Sequence, residues 1–157
     1  MAAKTKARFI PPMLLLKTDA LPGDASRWAY QLKVDGYRVI AFKTGGKLYV
    51  RSRNDKDVAA RYPAVLAGLA KLPNETVIEG ALVAFGDDGK PSFNALQNHG
   101  SSVAPLAFFV FDVPMLAGRD VRAETLEARR ALLEAKVLPK LTEPSRYLGD
   151  FDAPLGE

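Results

Sequence analysis

Within six residues, Lys33-Val34-Asp35-Gly36-Tyr37-Arg38 sets an amine, a carboxylate and a guanidinium close together. A lysine amine is a nucleophile only when deprotonated, so such a lysine needs its pKa lowered by nearby cations, a metal ion or desolvation. The surrounding alternation decides which groups share a face. Trp28, Tyr30, Leu32 and Val34 alternate with Ala29, Gln31, Lys33 and Asp35. That period of two predicts a strand with Gln31, Lys33 and Asp35 on the face opposite the apolar set. Gly36 permits a sharp turn, and Arg38 offers a forked donor for a phosphate or sugar oxygen. Taken alone, the pattern equally describes a lysine and an aspartate on a solvated strand.

The elements that would position these groups are mixed. Tyr37 to Phe42 and Leu48 to Arg53 flank Thr44-Gly45-Gly46-Lys47, a hairpin signal, with Tyr49, Arg51 and Arg53 on one face. Ala59 to Leu72 predicts a helix, with Pro63 in its first turn. Thr76 to Phe85 predicts a strand ending at the turn Gly86-Asp87-Asp88-Gly89-Lys90, after which Ser92 caps a short helix through His99. Leu106 to Val113 is an almost continuous apolar run, expected as a strand buried on both faces. Thr125 to Val137 is the clearest helix. Strands and helices without regular βαβ alternation predict an α+β fold with antiparallel sheet.

Composition bounds the chemistry. At 157 residues the chain holds one domain with a real core. With no cysteine and a single histidine, His99, disulfides and familiar zinc sites are excluded. No apolar run is long enough to span a bilayer and no secretory h-region precedes residue 10, so a cytosolic setting is the default. Between Lys33 and Arg61 eight basic residues face three acidic ones; this segment carries +5, and the rest of the chain −1. Such a field favours phosphate-bearing partners, although charge alone fits a solvated hairpin as well. Residues 1–8 are expected to be a flexible basic tail, with residues 9–157 forming the domain.

Several motifs in order carry a family resemblance. Lys33 to Arg38 matches the K-x-D-G-x-R nucleophile element of the covalent nucleotidyltransferases. Ser52-Arg53-Asn54 resembles the S-R-N-G element, with Asp55 at the glycine; Phe108 to Asp112 resembles F-x-x-F-D; Leu116 to Val121 and Leu126 to Arg130 resemble the stretches that follow. Gly89 to Gln97 (GKPSFNALQ) and Pro11-Pro12-Met13-Leu14 are similar to stretches of ATP-dependent DNA ligases, in particular those of bacterial end joining, including ligase D modules.

The resemblance implies the N-terminal part of an adenylation domain, the covalent nucleotidyltransferase fold. Lys33 would carry AMP; Gln31, Leu32, Asp35, Arg38, Arg53 and Phe111 would bind nucleotide, Phe111 by stacking on adenine. It implies ATP with Mg²⁺ (or Mn²⁺), nicked or broken duplex DNA as partner, no membrane, and a bacterial, cytoplasmic, nucleoid-associated role in DNA repair. Three departures stand against it. Gln31 replaces a glutamate that accepts from the adenine amine. The D-G-E element reads Glu79-Gly80-Ala81, which leaves Glu79 as the one carboxylate there for metal or ribose. The chain stops before the family's E-G-x-V-x-K and K-x-K elements, so a separate chain or a further C-terminal region would have to supply them. On this reading the isolated 157 residues are inactive or impaired. The alternatives are an inactive nucleotide- or DNA-binding module derived from this domain, and an RNA ligase relative.

Overall fold

The computed structural model describes residues 5–13, 28, 36–92, 95–96 and 105–148. The predicted strand around Lys33 and the position of His99 lie outside them. Six strands form one sheet: β1 (Tyr37–Thr44), β2 (Lys47–Ser52), β3 (Thr76–Ala84), β4 (Leu106–Leu116), β5 (Arg119–Asp120) and β6 (Ser145–Tyr147). Their order is β2-β1-β3-β4-β5, with β6 also on β4. Every pairing is antiparallel except β4 with β6, which is parallel. The α+β, mainly antiparallel expectation holds, with that one parallel pair added.

The β1–β2 turn forms where Gly45 and Gly46 adopt φ of 56° and 82°, the two positive values that a tight hairpin turn requires. Helix α1 (Pro63–Gly68) is much shorter than the helix expected over Ala59 to Leu72. Ala59–Arg61 is instead a separate 3-10 turn, and the chain breaks at Tyr62, where φ is −133°. The residue before a proline is pushed toward extended backbone, so Pro63 opens α1 rather than continuing an earlier turn. Helix α2 (Leu126–Leu132) starts at Thr125, whose hydroxyl accepts from the Ala128 N–H at 3.0 Å. It continues as a π-helical turn through Val137. Ser92 accepts from the Ala95 N–H at 3.2 Å, as a cap should.

The two sheet faces differ. On one, Val39, Ala41, Ile78, Leu82, Phe108 and Val110 pack with Tyr62, Val65, Leu69, Leu133 and Val137 from the helical segments. On the other, Ile40, Phe42, Val77 and Met115 are covered by Ala7 and Ile10. Residues 5–7 pack on the sheet through these contacts. The Thr5 N–H donates to Gly118 O at 2.9 Å, and the Ala7 N–H donates to the Glu75 carboxylate. β4 is not buried on both faces along its length. Phe109, Phe111 and Asp112 are only partly buried.

Candidate nucleotide-binding site

On the second face the strands change character beyond Ile40. Two residues earlier in β1 is Arg38, whose register partner on β3 is Ala81. Ile40 pairs with Glu79, so Arg38, Glu79 and Ala81 share that face. β4 joins them through a bulge: Glu79 pairs with Asp112, but the next pair is Gly80 with Val110. The extra residue is Phe111, and bulges re-aim side chains in this way. Phe111 lies beneath Arg38, whose guanidinium carbon is 4.9 Å from the ring centroid.

Arg38 Nη1 is 3.0 Å from Glu79 Oε1 and donates to Met13 O at 3.2 Å. Arg129, from α2, reaches Asp112 with Nε at 2.8 Å and Nη2 at 3.2 Å. The result is a row of two carboxylates held between two guanidinium groups. Glu79 is only 7% exposed, and burial pushes its carboxyl up to about 7. Arg38 and, more weakly, Arg129 oppose that shift, while Asp112 adds to it. Desolvation outweighs the ion pair here, so Glu79 exchanges its proton near neutrality.

A cleft of about 650 Å³ adjoins this row, within the range of small-molecule sites. Gly36 to Val39 form one wall; Ser52, Arg53, Asn54 and Lys56 form another; Val58, Arg61 and Tyr62 complete it. Among the described residues its charged lining is all basic: Arg38, Arg53, Lys56 and Arg61. Ser52 shapes the second wall, its hydroxyl accepting from the Asn54 and Lys56 N–H groups at 3.3 and 3.2 Å. Asp55, where the resemblance expects glycine, has φ of 61°. Aspartate tolerates this left-handed conformation better than most residues, so the loop keeps its shape. Gly36 is required for a reason other than the turn expected of it: a Cβ there would run into the Leu82 carbonyl oxygen.

The structure thus brings Arg38, Glu79 and Phe111 into contact and places Arg53 in the cleft with Arg38. Gln31, Leu32, Lys33 and Asp35 fall outside the described residues. Sequence reasoning assigned no role to Asp112, Arg129, Lys56, Arg61 or Tyr62 at the site. Only the F-x-x-F-D pattern pointed at Asp112, and nothing local pairs it with a residue 17 positions away. Among the described residues, no three His, Asp or Glu side chains could jointly hold a metal ion. Glu79, the expected metal carboxylate, is already paired with Arg38.

The family model of the ATP-dependent DNA ligase domain matches residues 12–147. The chain belongs to that family. It is 37% identical over 127 residues to the multifunctional non-homologous end joining protein LigD of Mycolicibacterium smegmatis, covering 79% of this chain and 16% of that one. DNA ligase C of Mycobacterium tuberculosis is 33% identical over 135 residues, covering 79% and 37%. The crystal structure of the ligase domain of M. tuberculosis LigD superposes with a TM-score of 0.68 at 31% identity, covering 82% of this chain and 42% of that one. A mycobacterial DNA ligase D complexed with ATP and MES gives 0.67 at 30% identity, with the same coverage. The chain therefore spans less than half the length of these relatives. No helix among the described residues is long and apolar enough to cross a membrane.

Proposed function

We propose that this chain is the N-terminal part of an adenylating domain that takes AMP from ATP onto Lys33, for transfer to a 5′-phosphate of nicked or broken duplex DNA. The observation that carries this reading is the meeting of Phe111, Arg38 and Glu79 beside a cleft whose charged lining, among the described residues, is cationic. An aromatic platform for a base thus adjoins cations for phosphates. In the first step the unprotonated Lys33 amine attacks the α-phosphorus, a lysine–phosphorus bond forms, pyrophosphate leaves with the electron pair of the broken bond, and one N–H proton passes to solvent. Gln31, Leu32 and Asp35 flank Lys33 as nucleotide-binding residues. Arg38 and Arg53 offset the phosphate charge that builds in the transition state.

ATP would arrive as its Mg²⁺ (or Mn²⁺) complex. The described residues make no cage for that ion, and Glu79 in its pair with Arg38 does not supply one. Adenine on Phe111 would take the ring face that Arg38 now covers, so nucleotide entry requires the guanidinium to swing toward the phosphates.

Intact-mass measurement after incubation with ATP and Mg²⁺ tests the reading. A gain of one AMP, absent in Lys33→Ala, is the expected result. A second reading, a nucleotide-binding module without transfer, is favoured by Ala81, which places no carboxylate opposite Arg38. ATP binding with no mass gain in either metal would select it.

A further inference from the structure

We propose that the outer strand of the sheet, β2, is a track for the sugar–phosphate backbone of the nucleic acid strand, leading away from the cleft. The inference rests on the ligase reading above and extends it to residues that the site itself does not use. β2 lies at the end of the strand order and carries Lys47, Tyr49 and Arg51 on one face by its period of two. Lys47 Nζ stands over the Tyr49 ring at 5.1 Å from its centroid, and the Arg51 guanidinium carbon stands over it at 5.5 Å. Phe42 stacks behind the same ring at 4.9 Å, with the planes 12° apart.

This arrangement says which part of a nucleic acid would be held. A tyrosine that stacks on bases needs an open ring face. Here Phe42 backs the ring and two cations lie across it. Tyr49 is therefore a pedestal that holds Lys47 and Arg51 in place, and what it presents is positive charge at a fixed spacing. Such a surface meets phosphates and reads no base edges.

The strand then runs directly into Ser52-Arg53-Asn54, the wall of the cleft. From Lys47 to Arg53 is about 20 Å at a strand rise of about 3.3 Å per residue. That length matches about six nucleotides of one strand at roughly 3.4 Å each. Among the described residues, the carboxylate paired with Arg51 is Asp55, whose Oδ1 is 3.9 Å from Arg51 Nε. At that separation, with Asp55 more than half exposed, the pair is weak and screened by salt. Phosphate displaces it without stranding a buried charge.

The experiment is a salt titration of binding to a fluorescent nicked duplex, read by anisotropy, for the unaltered chain, Lys47→Ala, Arg51→Ala and the double variant. Each lost phosphate contact lowers the slope of log affinity against log salt by about 0.9. The expected result is a slope reduced by about one for each single variant and about two for the double variant. It should be equal on two unrelated duplex sequences, with ATP affinity and the mass gain at Lys33 unchanged. Lys47→Glu, at the exposed end of the hairpin, weakens binding further and guards against a fold lost through Arg51. Tyr49→Phe, which keeps the pedestal, leaves the slope unaltered. Equal slopes and affinities in all variants would overturn the track while leaving Lys33 chemistry standing. Loss confined to one duplex sequence would overturn the backbone reading. An unaltered chain that gains AMP yet shows no salt-dependent DNA binding would also overturn the track.

Discussion

The two ends of one sheet face, built from the same three strands, have opposite chemistry. At one end Ile40, Phe42, Val77 and Met115 lie under Ala7 and Ile10 and exclude water. At the other, two residues along β1 and β3, Arg38, Glu79 and Ala81 stand beside Phe111 and a basic cleft. The backbone hardly distinguishes them, since the antiparallel register of β1 on β3 runs through both. What differs is the cover. Ala7 and Ile10 seal the first end, whereas at the second Ala81 is the one residue of β3 that is not buried. A binding site on a sheet thus depends on what packs over each end as well as on which residues the strands carry.

Substitutions at each end sharpen the contrast. The largest effect belongs to the sealed end. Ile40→Ala, at 1% exposure, should cost about 2–5 kcal/mol of unfolding free energy in urea titrations, and ATP affinity measured below the transition should hold. A large loss of ATP affinity in the folded variant would show that the ends are not separable. At the open end, Phe111→Leu keeps apolar bulk but removes the stacking face. Base stacking contributes about 1–3 kcal/mol, so the ATP dissociation constant by calorimetry should rise about 10- to 100-fold with little change in melting temperature.

The next effect is a pH dependence. Glu79 titrates at about 7 in the folded chain against 4.5 for the free carboxyl, so between these values the folded state holds the extra proton. The stability it contributes is fully present below about 4.5 and is lost as pH rises through about 7. Glu79→Gln should flatten this slope. The stability advantage of the unaltered chain over the variant should shrink by about 1–3 kcal/mol from pH 5 to pH 8. An unchanged difference would mean that Glu79 stays ionised throughout.

The smallest effect concerns the tether of the cover. Glu75 accepts from Ala7 N–H, from the Thr44 hydroxyl at 2.8 Å and from Gly45 N–H at 3.1 Å. These hydrogen bonds, that from Ala7 foremost, hold its carboxyl below the usual range. Glu75→Gln should speed amide exchange at residues 5–10 without changing the global melting temperature.

Much of this was legible in the sequence because it rests on local rules. Gly45-Gly46 announced a hairpin, Thr125 a helix start, and the alternation in β2 its faces. The resemblance singled out Arg38, Arg53 and Phe111; that Arg38 meets the Phe111 ring and shares a cleft with Arg53 is decided by the fold. The helix expected through Ala59 to Leu72 failed because apolar spacing overlooks how Pro63 restrains Tyr62. The strand expected to be buried on both sides failed for a different reason: an apolar run does not reveal what packs against each of its residues.

By itself the sequence determined the α+β class, the hairpin, the family and which residue types could do chemistry, since period, turn residues and motif order are properties of neighbours along the chain. Only the tertiary structure decided that Glu79 pairs with Arg38, that Asp112 pairs with Arg129, and that Phe111 rather than Asp112 lies beneath the guanidinium. A one-residue bulge in β4 and the packing of α2 set those partners. Burial, which moves the Glu79 carboxyl to neutrality, is a property of everything packed around a group and is written in no single stretch of the chain.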